Sequence, residues 1–319
     1  MSVLAYLGPE GTFTHAAALA WPGHDLLPCA SVHDVHAAVV DGRADRGVVA
    51  VENSVEGYVV PTLDTLLSSA EVVAVDETVL DVGFDAFVLP GADRAELVVA
   101  TAHSHGLAQC AAFVARRGLA PVPASSNAAA CRDLAPGQVA LGPRLCGDLY
   151  GLETLEESVE DFRGARTRFL LLGRRREAVA AFAPASAGPA ASGGDAAADA
   201  GPWRTMLAIT PVVTGPGVLA RITAAFGAGG VNLSSLITRP VKAQEGQYVF
   251  VVTVDAAPWD GGARSVLEDL LRAGDSLKTL GVYPARGELD EDVDLDHLPA
   301  GAVQAGSDAA ALRDGLLWG

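Results

Sequence analysis

The chain has 319 residues, room for about two domains at roughly 150 residues each, and half of it is hydrophobic. Its 22 basic and 39 acidic residues leave a formal net charge of −17, which argues against a general nucleic-acid binder, since phosphate neutralisation needs clustered Lys and Arg. No run of about 18 apolar residues is present to span a membrane as a helix, and Cys29, Cys110, Cys131 and Cys146 are too scattered for a CxxC redox or zinc motif. Free thiols, with no basic leader ahead of Val3–Leu7, predict a cytoplasmic protein.

Short β-branched runs alternate with amphipathic stretches from residue 3 to about 173, the pattern of an α/β domain. Val3–Leu7 is an expected strand, followed by a Gly8-Pro9-Glu10-Gly11 turn and a helix over about Thr14–Trp21. Val32, Val35 and Val39 recur at helical spacing, with Gly42 as the stop. Gly47–Val51 reads as a buried strand ending in Glu52-Asn53-Ser54, and Pro61 suits the first turn of a helix. Val72–Val75 and Thr78–Leu89 read as extended segments leading away from this unit. A second set follows: strand Leu97–Thr101, helix Gly106–Arg117, a strand near Val122, helix Asn127–Leu134 and strand Val139–Leu141. Arg168–Leu172 would bring the chain back, giving two lobes joined by two crossing segments with a cleft between them, a favoured place for a small-molecule site.

Residues 174 to about 203 are rich in Ala, Gly, Ser and Pro and read as a flexible linker. Beyond it, strand Met206–Val212, helix Val218–Phe226, strands Val231–Ile237 and Tyr248–Val254, helix Ser265–Ala273 and strand Leu277–Tyr283 follow the βαββαβ order of the ferredoxin-like split-βαβ arrangement. The acidic stretch from Arg286 is expected to be solvated.

Four stretches stand out as candidate chemistry. Gly8 to Thr14 joins a strand to a helix, where backbone N–H groups attract anions; read alone, a Thr-capped corner serves equally well. Glu52-Asn53-Ser54 closes a buried strand, where open α/β sheets place ligands, although a plain turn has the same composition. Arg163, Arg166 and Arg168 crowd around Thr167, either to hold a small polyanion or as a solvated basic turn. Ser125-Ser126-Asn127 precedes a helix, as a cap or an anion contact. His103 and His105, with no third ligand at metal spacing, read as surface residues or supports.

Taken together, these stretches resemble prephenate dehydratase from Val3 to about Tyr283. The resemblance rests on Leu7 to Thr14, Glu52-Asn53-Ser54 with Gly57, Pro61-Thr62-Leu63-Asp64, Ser125-Ser126-Asn127, Tyr150-Gly151-Leu152 and Thr167-Arg168-Phe169. It implies an α/β fold with a bilobal catalytic domain similar to type II periplasmic binding proteins over residues 2–176, a linker over 177–203, a ferredoxin-like ACT regulatory domain over 204–285 and an acidic tail over 286–319. The implied reaction is decarboxylative dehydration of prephenate to phenylpyruvate without metal or organic cofactor. Thr167, Arg168, Asn53 and Ser54 would be its catalytic residues, with Thr12, Glu52, Ser125, Ser126, Asn127 and Phe169 around the substrate.

In the ACT domain, Gly217, Val218, Leu219 and Asn232, with Ile237-Thr238-Arg239-Pro240 in place of the family's Glu-Ser-Arg-Pro, would form the effector site for L-phenylalanine. The loss of that Glu is expected to remove a carboxylate from the effector pocket. The family implies a homodimer or homotetramer, with no nucleic-acid or membrane partner. Competing readings are an arogenate dehydratase, a relative that decarboxylates prephenate without aromatising it, and a catalytically silent amino-acid sensor.

Overall fold

Small and β-branched residues buried on both faces form the central strands of the first lobe, as an α/β layer requires. The computed structural model describes residues 2–186, 202–240, 248–289 and 302–317. In chain order the first lobe has β1 (Ser2–Leu7), α1 (Phe13–Ala18), β2 (His24–Cys29), α2 (Val32–Val40), β3 (Arg46–Asn53), the two-residue β4 (Gly57–Tyr58) and α3 (Val60–Ser68). The expected periodicity holds in α2: Val32, Val35 and Val39 are buried, the Ser31 hydroxyl caps the first turn, and Gly42 follows at φ 78°. Only glycine takes up that left-handed stop at little cost.

β5 (Val72–Asp81) runs out of the first lobe into β6 (Asp85–Val88) of the second. There follow β7 (Val99–Ala102), α4 (Ser104–Gln109), α5 (Ala111–Arg116), β8 (Ala120–Pro123), α6 (Asn127–Arg132), β9 (Gln138–Gly142), α7 (Leu145–Tyr150) and β10 (Glu153–Glu156). The second lobe's sheet has the order β10-β6-β9-β7-β8. β11 (Arg166–Arg174) returns to the first lobe and lies antiparallel between β3 and β5. The two crossing segments bond to each other, Val82 N to Ala165 O at 2.7 Å and Val159 N to Phe84 O at 2.8 Å. The helix expected over Gly106–Arg117 is broken at Cys110. There Asp161, from the second crossing, accepts from Ala112 N at 3.1 Å and donates its own N–H to Gln109 O at 2.7 Å, taking over part of the helical ladder.

α8 (Arg175–Ser186) occupies the start of the expected linker and packs Phe182 against Trp203 and Trp259. The rest of that linker, 187–201, lies outside the described residues. The C-terminal module comprises β12 (Trp203–Thr210), α9 (Val218–Ala228), β13 (Leu233–Pro240), β14 (Tyr248–Val254), α10 (Gly261–Arg272) and β15 (Ser276–Pro284). Its order β13-β14-β12-β15, antiparallel throughout, is the split-βαβ arrangement. One face of this sheet packs Leu207, Ile209 and Val252 against Ile222, Phe226, Val266 and Leu270 of its own helices. The other sends Met206, Ala208, Val251 and Leu280 into a core shared with Leu63, Leu66 and Leu170 of the first lobe.

The described residues divide into two compact units after Gly287. Both lobes and the C-terminal module belong to the first, so the acidic tail expected from residue 286 separates two residues later. In the second unit α11 (Ala309–Leu316) is capped by the Asp308 carboxylate, which accepts from Ala310 N and Ala311 N. No helix among the described residues is long and apolar enough to cross a membrane.

Two predictions follow from the packing. A Cβ on Gly281 would lie 2.6 Å from the Ala74 Cβ and 3.1 Å from its carbonyl oxygen, where β15 meets β5. Gly281→Val is therefore expected to cost about 1–3 kcal/mol in urea denaturation. Asp275, nearly buried, accepts from both Arg221 Nη atoms at 2.8 Å and from Val212 N at 3.1 Å, and the Arg221 bonds hold its carboxyl below the usual range. Its contribution is full above about pH 4, the ordinary carboxylate value, and is lost as pH falls through the depressed folded value. Asp275→Asn should thus lower the melting temperature at neutral pH, with the gap to the parent closing in strong acid.

Candidate active site

β3 and β11 pair out of step. Thr167 lies opposite Asn53 and Arg168 opposite Glu52, but Phe169 lies opposite Ala50, so Val51 is an extra residue on β3. Such a bulge resets which face of a strand each later side chain occupies. Val51 and Glu52 both turn toward the C-terminal module: Val51 joins the shared core and Glu52 pairs with Arg168. Asn53 then falls on the opposite face, beside Thr167, where Phe169 and Leu171 pack with Tyr6 and Phe13. Phe13 also meets Phe84 of the second lobe edge-on, with centroids 5.5 Å apart, so this face is turned to the junction of the lobes.

Asn53 and Thr167 are bonded across the strands. The Asn53 carbonyl oxygen accepts from Val55 N and Glu56 N at 2.9 and 2.8 Å, which turns its amide nitrogen toward the hydroxyl. That nitrogen donates to Thr167 Oγ1 at 2.8 Å. With its oxygen engaged as an acceptor, the Thr167 hydroxyl keeps its own proton to donate elsewhere. Ser54 closes the turn: its hydroxyl accepts from Arg166 N and its own N–H donates to Arg166 O, both at 2.9 Å. This ties the turn to β11, and the exposed Ser54 hydroxyl, an acceptor in the bond from Arg166 N, keeps its own proton.

The loop after β1 is gripped from both sides. Thr12 Oγ1 caps α1 by accepting from His15 N at 3.1 Å and donates to Leu7 O at 3.0 Å, so it is committed within the loop. His15 was not singled out in the sequence, though it follows the cap by one turn. Its Nδ1 accepts from Gly11 N at 3.0 Å, its ring stacks on Tyr6, and burial lowers its pKa, keeping the imidazole neutral. From the second lobe, the Tyr150 hydroxyl donates to Glu10 O at 2.7 Å and the Cys146 thiol to Gly11 O at 3.3 Å. Gln109 Nε2 adds a bridge to Glu56 Oε1 at 3.1 Å.

On the second lobe's rim, Ser126 Oγ accepts from Ala129 N at 2.9 Å as a helix cap. Asn127 Oδ1 accepts from His103 N at 2.9 Å, in space that a Cβ on Gly106 would enter at 2.5 Å. Ser125 is exposed.

The three arginines do not converge. Arg163 is exposed, and Arg166 pairs with Asp81 at 3.1 Å. Arg168 turns to the face opposite Thr167, where it pairs with Glu52 at 3.3 Å and with the fully buried Glu77 at 3.1 Å. Burial raises the Glu77 carboxyl, opposed chiefly by the Arg168 charge. Arg168, expected among the catalytic residues, and Glu52, expected beside the substrate, are thus corrected to members of a largely buried ion network, since alternation along paired strands sends them away from the junction. Phe169 is corrected likewise: it is 1% exposed and belongs to the core. Among the described residues no group of three or more His, Cys, Asp or Glu is placed to hold a metal ion.

In the C-terminal module, Val218, Leu219 and Thr238 line a cavity of about 320 Å³ with Pro211, Thr214, Gly215, Tyr248 and Phe250. Gly217, at φ 86°, forms the left-handed entry to α9, and Asn232 Nδ2 donates to Asp255 at 2.5 Å. Alternation along β13 splits the remaining expected residues. Pro240 ends the strand on its exposed side, whereas Ile237 and Arg239 face the first lobe. Arg239 pairs with Asp64 there at 2.6 Å, and the Tyr58 hydroxyl donates to Ser235 nearby. The carboxylate missing at position 237 is therefore missing from this interface and not from the cavity.

The sequence model of the prephenate dehydratase family matches residues 4–177. The prephenate dehydratase of Mycobacterium tuberculosis is 34% identical over 296 residues, spanning 88% of this chain and 86% of its own. Among solved structures, the prephenate dehydratase of Arthrobacter aurescens in complex with L-Phe superposes with a TM-score of 0.73 at 29% identity, covering 99% of this chain and 97% of its own. GqqA, described as a quorum-quenching acylase, superposes with a TM-score of 0.75 at 28% identity, covering 89% and 98%. One stability prediction follows from the geometry: Phe169→Ala, which empties a core position, should cost about 3–5 kcal/mol by chemical denaturation.

Proposed function

The chain belongs to the prephenate dehydratase family, whose members are carbon–oxygen lyases, and we propose that the Asn53–Thr167 pair carries its reaction. Prephenate loses its ring carboxylate as CO2; the bonding pair enters the ring, which becomes aromatic, and the ring hydroxyl leaves. Hydroxide is a poor leaving group, so a proton must reach it as the bond breaks. Thr167 holds that proton. Its oxygen is occupied by Asn53 Nδ2 at 2.8 Å, the single observation on which this reading rests. The hydroxyl's proton completes water and is replaced from solvent, so prephenate dianion and one proton give phenylpyruvate, CO2 and water. An unperturbed Thr is a weak acid, and Asn53 assists by stabilising negative charge on Oγ1 as the proton departs.

The substrate carboxylates are assigned to the exposed hydroxyl of Ser125 and to backbone N–H groups of the loop after β1 and the start of α6, whose caps Thr12 and Ser126 fix the loops around them. Contacts between the lobes at Glu10, Gly11 and Glu56 support closure over the substrate, which would exclude water. L-phenylalanine is proposed as effector in the cavity beside Gly215 and Thr238; the L-Phe in the Arthrobacter aurescens structure supports that choice. A cytoplasmic setting and assembly as a homodimer or homotetramer belong to the same reading.

Purified protein incubated with prephenate at neutral pH, beside an enzyme-free control, should yield phenylpyruvate by mass spectrometry. Thr167→Ala is expected to lower kcat by on the order of 10²-fold, as removal of one preorganised donor does. Parent-like turnover in that variant would overturn the role of Thr167, and turnover of arogenate in place of prephenate would reassign the substrate.

A further inference from the structure

Both members of the Asn53–Thr167 pair are next in the chain to a member of the buried ion network. Asn53 follows Glu52 on β3, Thr167 precedes Arg168 on β11, and Glu52 and Arg168 are paired with each other at 3.3 Å. The network does not end in the first lobe. Glu77, on β5 and wholly buried, stands between two guanidinium groups: Arg168 Nε lies 3.1 Å from its Oε2, and Arg204 Nη1 of β12 donates to its Oε1 at 2.7 Å. Arg286 N donates to the same Oε1 at 2.9 Å. The Gly287 carbonyl accepts from both arginines, at 2.8 Å from Arg204 and 3.4 Å from Arg168. Arg204 also approaches Asp255 of its own module at 3.5 Å.

We propose that Glu77 is a positioning residue for the reaction: through it, Arg204 of the C-terminal module holds Arg168, and hence the Thr167 hydroxyl on the other face of β11, in working register with Asn53. A buried carboxylate between two buried cations cannot lose one partner or slide past it without leaving charge uncompensated in a medium that solvates it poorly. The three side chains therefore move together or not at all. Because adjacent residues of a strand point to opposite faces, a roll that relaxes Arg168 displaces Thr167 by a comparable amount. Proton delivery is sensitive to such errors, since a misplacement of about 1 Å can cost on the order of 10²-fold in rate. The pairing of Arg204 with the same carboxylate makes the seating of the C-terminal module a condition for turnover.

This inference rests on the reading of Thr167 above, and a double-mutant cycle on the full chain separates the two. Steady-state kinetics with prephenate are measured for the parent, Glu77→Gln, Thr167→Ala and the combined variant. Glu77→Gln keeps the shape and removes the charge; it is expected to lower kcat about tenfold with KM held within about threefold. In the Thr167→Ala background the same change should have an effect within about twofold, because no hydroxyl remains to be misplaced. A merely destabilising substitution would reduce active protein by the same factor in both backgrounds. Equal losses in the two backgrounds, or parent-like kcat in Glu77→Gln, would overturn the proposal. Parent-like kcat in Thr167→Ala alone would overturn the reading beneath it, and this one with it. Arg204→Lys, which keeps the charge but loses the planar fork, runs the same cycle if Glu77→Gln does not fold, with a loss of about threefold expected only when Thr167 is present.

Discussion

The pairing of β3 with β11 carries one residue too many on the β3 side, and the effects of that surplus spread through both the site and the core. Without Val51 as an extra residue, strict alternation would leave Asn53 on the face of the shared core and Glu52 on the face of the lobe junction. The bulge exchanges them. It delivers an amide to the Thr167 hydroxyl and a carboxylate to the Arg168 guanidinium across the same pair of strands. Bulges beside functional sites are retained for such re-aiming despite the ladder bond they forfeit. Here one irregularity serves two needs: a polar pair at the junction and a neutralised cation in the interior.

Much of the architecture was legible because its signals are local. The Val32, Val35 and Val39 spacing, the glycine stop at Gly42 and the strand–turn–helix corner at Gly8 to Thr14 depend on residues within a few positions of one another. The exit and return of the chain between lobes could be read from extended runs flanking the second set of elements. The partners of Arg168 could not. Glu77 and Arg204 lie on strands distant in sequence, and only the folded sheet brings them to one point. α8 escaped for a related reason: its Ala-rich composition resembles a linker, whereas the packing of Phe182 against Trp203 and Trp259 supplies tertiary stabilisation that composition does not reveal. Thr167 and Asn53 were identified as a pair of motifs, but that they bond directly depends on the bulge.

The C-terminal sheet has two working faces, and their division explains why its motif residues part company. The face toward α9 and α10 is a packed core, with a cavity at the end where Gly215, Leu219 and Thr238 meet. The other face continues the interior of the first lobe, and Ser235, Ile237 and Arg239 of β13 belong to it. One strand thus presents cavity-facing and lobe-facing side chains in alternation. A single layer of backbone separates the cavity from the neighbouring lobe.

The second lobe is an insertion: its strands lie between β5 and β11, which pair with each other in the first lobe's sheet. During synthesis the second lobe is complete in sequence before residue 166 has emerged, while the first lobe still lacks the strand that belongs between β3 and β5. The lobe that begins later can therefore finish earlier. Until β11 arrives, the inner edges of β3 and β5 stay unpaired, and the strand that carries Thr167 is the last piece of its lobe to be laid in place. A nascent chain cut short within the second lobe would carry a folded insert on an open host, with its apolar edges available to chaperones.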